Sequence, residues 1–229
     1  MGLRISPSAF PKPAAEEVVS SNETRTIVLG AGLFWCADAL FRRLAGVVSV
    51  RPGYAGGSKA QASFEAVSSG RSDHVFVIEV VYEPARLALG QILQIFFSIA
   101  HDPTLPERKS EVAAHAQRSV IYYTTPTQRA TALNYIGRLQ QAGVFNAMIL
   151  TEVNPLASFF EAEPIHHDYA ATHPHKPHVR MVTLPKLNLL TKLTPSIAHQ
   201  GGSTSRSLRS NTVGVSGFCR NVISASMTP

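Results

Sequence analysis

The residues of this 229-residue chain that could do chemistry gather around one turn. Gly30-Ala31-Gly32 follows the apolar run Ile27-Val28-Leu29 and precedes Leu33-Phe34-Trp35-Cys36. Small residues with free backbone angles let a chain reverse sharply. The spacing predicts a buried strand, the turn, and then a helix over 34–45 with Phe34, Leu40, Phe41 and Leu44 on its apolar face. Such a helix start points backbone N–H groups and a positive partial charge into the turn. A thiol on the residue after Gly32 would be acidified and nucleophilic. Leu33 stands there instead.

Two thiols exist, Cys36 and Cys219. Cys36 lies three residues beyond Leu33, about 60° around a helix and ~4.5 Å along it, so it borders the same turn. Deeper in the helix it meets fewer free N–H groups, which favours a buried, inert thiol over a displaced nucleophile. Cys219 reads as a lone tail thiol. The histidines offer a second temptation, with His166, His167, His173, His175 and His178 close together. Pro174 and Pro177 keep the second group extended and no cysteine joins it, so no metal site is read there.

The elements that must position these residues follow from pattern. The residues predict a short helix over 63–69, a central β-branched strand over 75–82 ended by Glu83-Pro84, and an apolar helix over 89–100 stopped at His101-Asp102-Pro103. A strand over 119–123, a helix over 126–141 with Gly143 beyond its end, and a strand over 148–153 come next. Strands alternating with helices give an α/β fold, helices packed on one mixed sheet in two layers. The expected organisation is a disordered leader over 1–24, one domain over 25–195, and a Ser/Gly-rich basic tail over 196–229 without order.

Charge excludes a nucleic-acid groove on the domain. The net charge is +6, yet seven Lys and Arg and no acidic residue follow Asp168, so residues 1–168 carry 14 cations against 15 anions. A solvated basic tail is the reading, and contact of the tail from Lys186 onward with an anionic partner is the weaker alternative. No run suits a membrane span or a secretory signal. A cytoplasmic monomer without nucleic-acid or membrane partners is expected.

Several motifs in register resemble the A-type peptide methionine sulfoxide reductases. Their signature is Gly-Cys-Phe-Trp-(Gly/Cys), a Glu two residues on, and a later Gly-Tyr-(Ala/Thr)-Gly-Gly. Here it stands as Gly32-Leu33-Phe34-Trp35-Cys36, Asp38 and Gly53-Tyr54-Ala55-Gly56-Gly57. Ser69-Gly70-Arg71 with His74, His101-Asp102-Pro103-Thr104, Arg118 to Tyr123, Ala142 to Phe145 and Ala162-Glu163-x-x-His166-x-Asp168-Tyr169 follow in the family's order. The resemblance covers about Thr26 to Lys192 and implies a ferredoxin-like core.

It also implies an activity. A thiolate attacks the sulfur of a methionine S-sulfoxide in a protein or peptide, an acid and tyrosine hydroxyls serve the oxygen, and thioredoxin or another dithiol restores the enzyme. No other cofactor is implied. The family's nucleophile falls on Leu33 and its proton donors fall on Phe64, Phe76, Val112 and Gln117, while Phe34 and Trp35 keep the apolar cup for the methyl group. Cys36 is the one candidate substitute nucleophile, and Cys219 sits where some members carry a resolving thiol. Two readings stay open. One is an impaired reductase using Cys36. The other is a non-catalytic binding module whose pocket is built from Leu33, Phe34, Trp35, Phe64 and Phe76.

Overall fold

The computed structural model describes residues 9–12, 23–105 and 115–193. The chain runs β1 (Arg25–Ala31), α1 (Phe34–Phe41), β2 (Val47–Ala55), α2 (Phe64–Ser68), β3 (Val75–Tyr82) and α3 (Leu89–Ile95). It continues through β4 (Ser119–Tyr123), α4 (Pro126–Gln141), β5 (Glu152–Pro155), β6 (Phe159–Glu161), α5 (Tyr169–Thr172) and α6 (Leu184–Leu193). The strands form one sheet in the order β5-β4-β1-β3-β2-β6. All neighbours are antiparallel except β4 and β5, which makes the sheet mixed as expected.

Period-two alternation sorts the sheet's side chains between its faces. Ile27, Leu29, Phe76, Ile78 and Val80 join the large core under the helices, whereas Val28, Val75, Val77 and Val120 form a smaller cluster on the other face. The helices close the first face: α1 and α3 contribute Phe34, Leu40, Phe41, Ile92 and Leu93 to the same core, and α6 adds Leu187 and Leu190. The two-layer α/β arrangement read from the alternation of elements is the one observed.

Several boundaries differ from the pattern. Helix α1 ends at Phe41, not near Ala45, because Arg42 turns its guanidinium onto Val50 O at 2.7 Å and Gly46 takes φ 96° to start β2. The apolar run after Leu89 is α-helical only to Ile95. Phe96–Ala100 winds as a wider π turn, with the His101 ring nitrogen Nδ1 meeting Phe96 O at 3.2 Å. The strand expected over 148–153 begins at Glu152, since Leu150 N donates to Pro103 O and Met148 stands 71% exposed. Within the leader, Phe10 is buried edge-on against Phe145 and Pro11 O accepts from Tyr135 Oη at 3.1 Å. The apolar ring of Phe10 joins the core cluster. The tail expectation over 196–229 lies outside the described residues.

Candidate functional site

The turn forms as its residues dictate. Gly32 takes φ 81°, a region side chains resist, and a Cβ built there would meet nothing within 4 Å among the described residues. Leu33 occupies the N-cap position of α1 in an extended conformation, with no side-chain cap, and packs part-buried against the core. Behind it comes a nest of rings. Phe34 is buried and meets Phe76 edge-to-face at 5.1 Å, Tyr54 at 6.1 Å and Phe64 at 6.2 Å. Phe76 on β3 stands opposite Tyr54 on β2 in the sheet register, which is what brings the two rings to one face.

Trp35 is the most elaborately packed of these rings. Tyr169 stacks on it at 4.0 Å and 10°, Phe64 lies near-parallel at 5.7 Å and 18°, and His173 continues the stack on Tyr169 at 4.2 Å. Its indole Nε1–H donates to His166 Nδ1 at 3.3 Å, which leaves the imidazole proton on Nε2. Burial holds His166 below the usual histidine range, although nearby Glu163 pulls the other way. The ring is neutral at pH 7.

A carboxylate anchors the polar side of the nest. Glu163 accepts from Tyr54 Oη at 2.6 Å and from Phe64 N at 3.0 Å, and lies 3.8 Å from His166 Nε2. Partial burial pushes Glu163 up, but the Tyr54 and Phe64 hydrogen bonds outweigh it and keep the carboxyl below its ordinary range. Burial, with Glu163 beside it, raises the Tyr54 hydroxyl well above the ordinary tyrosine value. Tyr54 thus brings a hydroxyl to the nest beside the rings of Phe64 and Phe76. Tyr54, Glu163 and Tyr169 are the residues sequence reasoning passed over. The signal was present in Gly53-Tyr54-Ala55-Gly56-Gly57 and Ala162-Glu163, which served only as landmarks.

Cys36 stands apart from this nest in character. It is 5% exposed, and burial pushes its thiol up, against the Lys186 ammonium and Thr183 hydroxyl that pull it down. Lys186 itself donates to Ala100 O. The thiol faces the start of α6 and is protonated at pH 7. Gln117 is exposed in a short 3-10 turn at the start of β4. Val112 and Cys219 lie outside the described residues. Three of the histidines line the Trp35–Tyr169 stack, with His178 edge-on to Trp35 beside His166 and His173, while His167 Nε2 meets Ala162 O at 3.1 Å.

A mixed sheet with a glycine turn feeding an aromatic nest defines a two-layer α/β protein with its site at the start of α1. Comparison with known proteins assigns the family. The family model described as peptide methionine sulfoxide reductase matches residues 25–196, and the chain belongs to that family. A peptide methionine sulfoxide reductase of Synechocystis sp. is 39% identical over 199 residues, covering 82% of this chain and 93% of its own length. One from Granulibacter bethesdensis is 39% identical over 167 residues, covering 73% and 90%. Among solved structures, methionine sulfoxide reductase A of Corynebacterium diphtheriae matches with a TM-score of 0.55 at 28% identity, covering 75% of this chain and 92% of that one. Reduced Mxr1 from Saccharomyces cerevisiae gives 0.59 at 24% identity over 70% and 94%, a likeness of fold.

Proposed function

We propose that this chain keeps the fold and the methyl-binding nest of the peptide methionine sulfoxide reductases but has shed the family's reaction, and works as a module that binds an apolar side chain of a protein or peptide. The observation that carries this reading is Leu33 at the N-cap of α1, where the resemblance sets the family's nucleophile. A leucine has no lone pair with which to attack sulfur, and no arrangement of neighbours supplies one. Cys36 offers no replacement, since it is buried, protonated and turned toward Thr183 and Lys186. Phe64 and Phe76 support the same reading. Rings at those positions cannot protonate a departing oxygen.

Were Cys36 to act after all, the chain would be an impaired reductase of methionine S-sulfoxide, served by thioredoxin or another dithiol. The experiment separating the readings is reduction of a methionine S-sulfoxide peptide with excess dithiothreitol, for the native chain and for Cys36→Ser. No turnover by either is expected. Turnover that disappears in Cys36→Ser would overturn the binding reading and make Cys36 the nucleophile.

A further inference from the structure

We infer that Trp35 and Tyr169 form a radical relay, in which a one-electron oxidation of the indole passes to the Tyr169 phenol while His166 takes and returns the indole proton. The inference goes beyond the binding reading above and does not depend on it.

The rings are already in contact. Tyr169 lies face to face with Trp35 at 4.0 Å between centroids and 10° between planes, and His173 continues the stack at 4.2 Å. Electron transfer falls off steeply with separation, so overlapping π faces exchange an electron faster than either ring meets another molecule. Tyr54 is less well placed. Phe34 stands between it and Trp35, edge-on to both at 6.1 Å, and a phenyl ring is much harder to oxidise.

Protons decide where the charge can move. Removing an electron from an indole makes its N–H strongly acidic, so a base must wait beside it. Trp35 Nε1–H already donates to His166 Nδ1 at 3.3 Å. His166 is buried, and its Nε2–H faces Glu163 Oε2 at 3.8 Å, so the imidazolium formed by proton uptake gains a carboxylate neighbour. Glu163 keeps its charge because Tyr54 Oη and Phe64 N donate to it.

In the first step a one-electron oxidant such as the azide radical takes an electron from the Trp35 ring and becomes azide. The Nε1–H bond breaks and its proton moves to His166 Nδ1. In the second step the neutral indolyl radical takes an electron from Tyr169 and its proton back from His166. The Tyr169 O–H bond breaks, and that proton goes to water. Trp35 is restored, and the oxidation rests as a phenoxyl radical on a half-buried residue, where a one-electron reductant in solution meets it.

Pulse radiolysis of the full chain in azide tests the relay. Trp35 is the single tryptophan, so the indolyl absorption belongs to one residue. That signal is expected to convert into phenoxyl absorption at a rate independent of protein and buffer concentration. Tyr169→Phe keeps a stacked ring but has no O–H to break. It should lose the conversion, with its Trp35 emission unchanged, and leave an indolyl signal that decays only by encounter between molecules. His166→Phe should make the conversion buffer-dependent, because the indolyl nitrogen must then draw its proton from solution. An indolyl signal in the native chain that never becomes phenoxyl overturns the inference, as does conversion that survives Tyr169→Phe. A buffer-dependent rate in the native chain overturns the role given to His166.

Discussion

Asp38 Oδ2 accepts a hydrogen bond from Asp168 N at 3.1 Å across 130 positions of the chain. The other carboxylate oxygen accepts from Arg42 Nε at 2.8 Å, and the side chain is fully buried. Asp168 takes φ 46°, the one positive φ among the described non-glycine residues, and the next residue is the Tyr169 whose ring stacks on Trp35. The carboxylate thus fixes a left-handed backbone that aims Tyr169. Removing it in Asp38→Ala strands the Asp168 N–H, while Arg42 keeps Val50 O, at a cost of about 1–3 kcal/mol in stability. Trp35 emission should shift to the red as Tyr169 lets go. An unshifted spectrum in a folded variant would mean that the stack holds without this anchor.

Thiol chemistry should separate two positions three residues apart. Native Cys36 is expected to alkylate at least about tenfold more slowly at pH 7 than a free thiol of pKa ~8.5, and to match it once the chain is unfolded in urea. A cysteine introduced as Leu33→Cys sits at the helix start and should react faster than the free thiol. Alkylation rates across pH 6–9, with the modified residue located by mass spectrometry, check both. Rapid modification of native Cys36 would contradict its burial.

The reductase reaction should not return with that cysteine alone. Leu33→Cys supplies a nucleophile but leaves ring carbon at Phe64 and Phe76, where an oxygen must be protonated as it leaves. We expect dithiothreitol-driven turnover of a methionine S-sulfoxide to rise about 10²-fold or more when Phe64→Tyr and Phe76→Glu are added to Leu33→Cys, the usual span of general acid catalysis. Equal rates in the single and triple variants would show that the lost donors do not limit the chemistry.

Stability should fall with acid, by a contest of opposite signs. His101 and His178 are held below the ordinary histidine range by burial and then by the Lys186 ammonium, and His166 by burial. The unfolded chain therefore takes up these protons first, and the stability of the neutral rings is lost as pH drops below about 6.5. Burial raises Asp38 to about 6, against the pull of Arg42. Here the folded chain takes the proton first, so this group adds stability as pH falls from 6 toward 4. Three groups oppose one, and urea midpoints should decline from pH 7 to 5. In Asp38→Asn the decline should steepen, because the opposing carboxyl is gone. A midpoint that rises toward pH 5 in the native chain would reverse the balance argued.

The parts of the fold legible in the sequence are those with local causes. Helix α4 begins and ends where expected because Thr125 caps it, Pro126 opens it and Gly143 beyond Ala142 takes φ 59°. Strand β3 fills its expected span because Val75 to Tyr82 is β-branched and aromatic until Glu83-Pro84. What was not legible is held by distant pairs. Strand β6 is three residues long and exists because Gly53, Tyr54 and Ala55 pair with it. Cys36 meets Thr183 and Lys186 from the far end of the domain. The Tyr54–Glu163 bond, across 109 positions, and the Trp35–Tyr169 stack likewise carry no local signature.

That dependence on β6 gives the sharpest structural prediction. A Cβ at Gly53 would lie 2.4 Å from Phe160 O and 2.5 Å from the Phe159 ring, and the first of these is backbone that cannot swing aside. Gly53→Ala should therefore push β6 away from β2, costing about 1–3 kcal/mol as an overpacked site. Arg51 ties the same edge, donating to Glu79 on β3 and, at 2.9 Å, to Glu161 on β6. Because Glu163 follows two residues after β6, displacement of that strand loosens the Tyr54 hydrogen bond as well. Hydrogen exchange should find the amides of Ala162 and Phe64, which bond to Pro52 O and Glu163, exposed at least about tenfold more often in Gly53→Ala. Arg51→Ala should give a weaker version, since an exposed guanidinium pair contributes only about 1 kcal/mol. Protection unchanged in Gly53→Ala would mean that β6 can slide without disturbing Glu163, and the nest would then not depend on its edge strand.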